Sequence, residues 1–185
     1  MPRNRIRRVS VPVEALADFP FEPVHYADAF RTALPDGPHY TMPELAHHFF
    51  GSADSSPKWV NALVRLRDIL VRPFNIKTAD DVAVQLAEDD DRIGFFKTFQ
   101  HSENEIILGE DDSHLDFRLS ILRSVNGGKS YLTMSTFVRF NNWVGRGYFL
   151  FIKPFHQVIV PVCTQKAVAD LAKKQGIGKL SDGSI

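Results

Sequence analysis

Hydrophobic and polar positions change period along this chain, and the changes mark its elements. Up to about Pro23 the sequence is rich in proline and arginine, and "VSVPVEAL" is its one candidate for a short strand. "HYADAFRTAL" (His25 to Leu34) alternates weakly and reads as a first strand, followed by the turn cluster "PDGPHYT". "TMPELAHHFF" predicts a short helix: Thr41 can cap it, Pro43 suits its first turn, and Glu44 completes a capping box. "SSPKWVNALVRLRDILVRPF" predicts a second, capped by Ser56, opened by Pro57 and stopped by Pro73. Its Trp59, Leu63, Leu66 and Leu70 form one apolar stripe. "DDVAVQLAEDDDR" is polar at both ends and supports no single reading.

After Ile93 the runs become short, aromatic or β-branched. "IGFFKTFQH", "NEIILGE", "SHLDFRLSILRSV" and "KSYLTMSTFVRF" are separated by turn chemistry, and Asn126-Gly127 is a strong hairpin signal. They predict an antiparallel meander of four strands. "GGKS" ends like a phosphate-binding loop, but Arg123 stands where the first glycine would be, so it reads as a hairpin turn. In the last third, "YFLFIK" and "QVIVPV" each resemble strands. Against that, Asn141 and Asn142 can cap a helix, and Tyr148, Ile152, His156, Ile159 and Cys163 advance at helical spacing. "TQKAVADLAKKQG" continues the pattern to Gly176. The prediction is one long helix from about Asn142 to Lys174, bent at Pro154 and Pro161, with a strand over its first part as the alternative.

Composition narrows the function classes. A chain of 185 residues suits one domain. Basic and acidic side chains number 22 each, a balance that argues against a dedicated nucleic-acid surface. Positive charge gathers at Arg3, Arg5, Arg7 and Arg8, read as a solvated tail, and no apolar run follows to make a secretory signal. The single cysteine, Cys163, excludes an internal disulfide and fits a reducing cytoplasm. Lys153, His156 and Gln157 interrupt the longest apolar stretches, which fall short of the ~18 residues that a membrane span requires.

Three blocks in order carry a family resemblance: "WVNALVRLRDILVRPFNIK", "GEDDSHLDFRLS" and "NWVGRGYFLFIKPFHQVIV". They resemble the uncharacterised bacterial domain-of-unknown-function family 2867, over about Val24 to Val168, with Val144 where that pattern has leucine. The family is grouped with the START-like, Bet v 1-like (SRPBCC) superfamily. The resemblance implies an α+β helix-grip fold: a curved antiparallel sheet wrapped around a long C-terminal helix, with two short helices after the first strand. It implies a domain over residues 24–176, preceded by a basic, proline-bearing extension (1–23) and followed by a flexible tail (177–185). It also implies an apolar ligand held between sheet and helix, but it assigns no reaction.

The candidate chemistry lies in two places. On a strand from Ser113, His114, Asp116 and Arg118 share one face, and Leu115, Phe117, Leu119 and Ile121 share the other. The polar row either faces water, with Asp116 and Arg118 as a surface pair, or lines the cavity and anchors the polar end of a ligand. His156 lies on the helical stripe with Tyr148 and would face that row. Trp59, Tyr148, Phe96, Phe99 and Phe151 are candidates for the cavity wall. A metal held by Asp112, His114 and Asp116 has no second histidine at a confirming spacing, so neither metal nor cofactor is expected. The favoured expectation is a cytoplasmic protein binding a small hydrophobic or amphipathic molecule through His114, Asp116, Arg118, His156, Trp59 and Tyr148. Two others stand beside it. One is a cyclase- or dehydratase-like enzyme in which His156 or Asp116 moves a proton and Arg118 steadies an oxyanion. The other is a structural module that forms a homodimer.

Overall fold

A computed structural model describes residues 6–16, 18–35, 40–50, 91–94 and 96–181, with side chains as far as 173. Seven strands form one antiparallel sheet: β1 (Arg7–Val9), β2 (Tyr26–Ala33), β3 (Arg92–Ile93), β4 (Phe96–His101), β5 (Glu105–Asp111), β6 (Leu115–Asn126) and β7 (Lys129–Phe140). Their order is β1-β2-β7-β6-β5-β4-β3. The meander predicted after Ile93 is thus present as β4 to β7. Helix α1 (Met42–Phe50) follows β2, and α2 (Trp143–Ser181) follows β7. This α+β layout is consistent with a helix grip.

Local chemistry explains these elements. Thr41 and Glu44 form the expected capping box on α1: the Thr41 amide donates to Glu44 at 2.7 Å, and the Glu44 amide donates to Thr41 Oγ1 at 3.4 Å. The β6–β7 hairpin turns on Gly127 (φ 57°) and Gly128 (φ 72°), and a two-residue turn with positive φ at both positions matches the strand twist. Asn142 caps α2 by accepting from the Gly145 amide at 3.1 Å. Both Pro154 and Pro161 lie inside α2, so the helical alternative is the one adopted. The helix also runs past Gly176, where its end was expected. A helical glycine costs only about 1 kcal/mol relative to alanine, too little to force a stop.

Two expectations need correction. Among the described residues one helix, not two, stands between the second strand and the meander. The other predicted helix, with Trp59, lies outside the described residues. The strand sought in "VSVPVEAL" is shifted to Arg7–Val9, where Arg8 pairs with Phe30 of β2. Pro12 has no amide hydrogen to give to a ladder, so the strand ends before it.

The sheet is covered on both faces. On the inner face Ile106 and Leu108 of β5, Leu119 and Ile121 of β6, and Leu132 and Met134 of β7 pack against α1 and the far half of α2. From α1 come Met42, Leu45, Ala46 and Phe49, and from α2 Ala167, Val168 and Leu171. On the outer face Ile107 and Phe137 pack beneath Ala15, Leu16 and Phe21 of the segment that leads into β2. That segment is a strap across the back of the sheet.

Candidate functional site

Strand β2 sends Tyr26, Asp28, Phe30 and Thr32 to the inner face by simple alternation. The Asp28 side chain has no exposed surface, and Thr136 of β7 lies directly opposite it. Over this pair runs the first half of α2. His156 Nε2 is 3.1 Å from Asp28 Oδ1, and Tyr26 Oη donates to Asp28 Oδ2 at 2.6 Å. Gln157 Nε2 donates to Tyr26 Oη at 3.2 Å, and Lys153 Nζ stands 5.0 Å from the Tyr26 ring centre. Two helix residues, His156 and Gln157, therefore converge on one strand carboxylate and its phenol partner, with Lys153 over the phenol ring.

Around this group the seam is apolar. Tyr26 packs on Phe149 at 4.7 Å between ring centres, and Leu115, Val138, Phe140 and Tyr148 complete that cluster. The Thr136 and Thr32 hydroxyls are buried and have no hydrogen-bond partner among the described residues. Burial pushes the Asp28 carboxyl up. Hydrogen bonds from His156 and Tyr26, with the charges of His156 and Arg8, outweigh that and hold it below its ordinary value. Burial and the hydrogen bond to Asp28 raise the Tyr26 phenol to about 12.

These shifts settle where hydrogens sit. An ionised Asp28 only accepts, so Tyr26 is its hydroxyl donor and His156 donates from Nε2. In a neutral ring, that tautomer leaves His156 Nδ1 with its lone pair. A carboxylate that orients an imidazole is an arrangement found in many histidine proton relays.

The row His114, Asp116 and Arg118 does not join this group. His114 precedes β6 and is buried against Tyr148, with ring centres 4.9 Å apart, while its Nδ1 lies 3.5 Å from Asp112. Asp116 and Arg118 point to the outer face. Asp116 accepts from Arg139 at 2.5 Å, from Asn141 at 3.0 Å and from the Asp112 amide at 3.1 Å. These bonds and the Arg139 charge overcome the upward push of burial and keep its carboxyl below the ordinary value. Its carboxylate meets the Asp112 amide, while the Asp112 carboxylate turns to Ser113 and His114, and among the described residues no three such groups gather to hold a cation. Arg118 pairs with Asp111 at 2.8 Å, and its guanidinium carbon sits 3.6 Å from the Phe99 ring centre and 4.8 Å from that of Phe21. The row is thus divided: His114 packs against Tyr148 of α2, whereas Asp116 and Arg118 lie buried on the outer face, where the strap covers Arg118. Phe99 lies under the strap with it, Phe96 packs on Phe117, Phe151 is exposed, and Trp59 lies outside the described residues.

The model of a family described as proteins of unknown function, DUF2867, matches residues 21–163. The chain belongs to the DUF2867 family. No curated protein and no solved structure matches it. The matched span of this DUF2867 chain contains β2, β7 and the half of α2 that bears His156. No described helix is long and apolar enough to cross a membrane.

Asp28, Tyr26 and Gln157 were missed from sequence. A signal existed for the first: "YADAF" alternates, and Asp28 falls on the same face as Tyr26 and Phe30. A charge on the apolar face of a strand is costly unless paired, and it marks a position to examine.

Proposed function

We propose that this DUF2867 protein has a START-like helix grip and binds a small hydrophobic or amphipathic molecule between sheet and α2. The polar end of that molecule is received by the Asp28–His156–Tyr26–Gln157 group. The observation that carries the reading is the buried Asp28 carboxylate with His156 bridging to it from the helix. A buried carboxylate pays a desolvation cost that its hydrogen bonds only offset, so its presence in an apolar seam favours a recognition role. Apolar walls would supply affinity at ~25 cal/mol per Å² buried, and the polar group would fix orientation. His156 Nδ1 is the acceptor for a ligand hydroxyl, and the buried Thr136 hydroxyl is a second polar contact on the sheet side.

A second reading rests on the same dyad: His156, oriented by Asp28, removes or delivers a proton at a bound substrate through Nδ1. Asp116 and Arg118 have no place in it, because they lie on the other face of the sheet.

The test is a thermal-shift screen with fatty acids, sterols and polycyclic phenols. Ligand at a hundred times its Kd raises stability by about 2.7 kcal/mol. We expect a rise for at least one class, reduced in His156→Ala and Asp28→Asn. A flat response across the panel would end the binding reading. Loss of turnover with uptake retained in His156→Ala would favour the second reading.

A further inference from the structure

The first half of α2 is built inside out. Its polar side chains His156 and Gln157 turn to the sheet. Its solvent face carries Trp143 (79% exposed), Leu150 (75%), Phe151 (47%) and Val158 (52%), with Gly147 and Pro154 exposed between them. These positions follow helical spacing and form one stripe over about four turns. Farther along, the exposed positions are small or polar: Gln165, Ala169, Ala172 and Lys173. The stripe of large apolar side chains is therefore confined to the half of the helix that closes the polar seam.

Charge says what the stripe faces. From Trp143 to Ala169 the helix carries no aspartate or glutamate, while Arg146 stands exposed beside the stripe and Lys153 lies between it and the Tyr26 ring. The carboxylates in the β5–β6 turn next to its start are engaged, Asp111 with Arg118 and Asp112 with Ser113 and His114. A second copy of the chain would bring the same cations with no acid on that stretch to answer them. An anionic surface with an apolar interior meets both features.

We propose that this stripe docks on the surface of an anionic lipid bilayer. α2 lies in the interface plane, Leu150, Phe151 and Val158 enter the acyl boundary, Trp143 sits at headgroup level, and the exposed Arg146 meets lipid phosphates. The proposal is independent of the reading of Asp28 and His156, and either can fail alone.

The full chain is floated with vesicles of phosphatidylcholine, with and without phosphatidylserine, at low and high salt. The expected result is flotation that is stronger with phosphatidylserine and weaker in salt. A blue shift of tryptophan emission should accompany it and disappear in Trp143→Phe. Leu150→Ser with Phe151→Ser should lower partition about tenfold or more and leave the melting temperature little changed. Arg146→Glu should lower it about fivefold on phosphatidylserine vesicles. Absence of flotation at low salt, or flotation unaffected by the serine pair, overturns the proposal. So does a large fall in melting temperature in the serine pair, which would mean that the chain itself covers the stripe. A dimer in sedimentation that the serine pair dissolves would assign the stripe to a second copy and overturn it equally.

Discussion

Asp28 is charged where nothing but protein surrounds it, and its neighbours decide the consequences. Its carboxyl is held below the ordinary value, so the folded state binds this proton less readily than the unfolded chain does. The stabilisation is fully present above the unfolded pKa of ~3.9 and is lost as pH falls through the lower folded value. Asp116, shifted the same way, adds to the same acid limb. Asp28→Asn should therefore flatten that limb while Asp116 keeps part of it, measured as melting temperature between neutral and strongly acid pH. An unchanged acid profile would mean that Asp28 is not ionised in the fold. Tyr26 supplies the opposite sign. Its phenol is raised from 10.0 to about 12, so the fold keeps a proton that the unfolded chain releases. Stability should fall as pH rises through that interval, and Tyr26→Phe should remove this fall along with the latest-titrating phenolate absorbance. Truncation is harsher than either change. Asp28→Ala strands the Tyr26 hydroxyl and the His156 imidazole and should cost about 1–3 kcal/mol in urea unfolding.

At the scale of elements, two joints hold the layers. The start of α2 is pressed onto the turn before β6: a Cβ added at Gly145 would overlap the His114 carbonyl oxygen. Gly145→Ala must lift the helix off that turn and should cost about 1–3 kcal/mol, with the loss visible in denaturant unfolding. Gly147 in the same "GRG" run has open space, and Gly147→Ala should not be destabilising. The strap is held by Arg118 among Phe19, Phe21 and Phe99, and by Glu105, which accepts from the Leu16 amide at 3.0 Å. Arg118→Ala should release it, giving faster proteolysis between Val11 and Phe21 and a stability loss of about 2 kcal/mol. Equal cleavage rates in mutant and parent would show that the guanidinium does not hold the strap. These joints also mark how far the sequence could be read. Period and punctuation marked out the meander, the capping box on α1 and the long helix, because each is decided within a few residues. The partner of the "DFR" row depended on a segment nearly a hundred residues away. His156 was legible from its helical stripe, whereas Asp28 was hidden in a weakly alternating strand whose one odd letter was its signal.

On the scale of the whole molecule, the family match starts at residue 21, but the packing starts earlier. β1 pairs with β2, and Ala15 and Leu16 are buried on the back of the sheet over Ile107 and Phe137. A chain beginning at Phe21 loses that cover. It exposes the outer apolar positions, leaves Glu105 without the Leu16 amide, and opens the Arg118 stack to water. Full burial of a large apolar side chain contributes ~1.5–3 kcal/mol, so losing Leu16 and uncovering Ile107 and Phe137 removes on the order of 5 kcal/mol. Natural domains have only about 5–15 kcal/mol in total. The truncated protein should therefore melt far below the parent or aggregate through the exposed sheet face, as read by calorimetry and sedimentation velocity. If it melts within a few degrees of the parent, the strap is an accessory, and the buried Asp116 and Arg118 must be tolerated by the sheet without it. If it fails as expected, the fold is a three-layer structure, and the buried Arg118 helps to fasten its third layer.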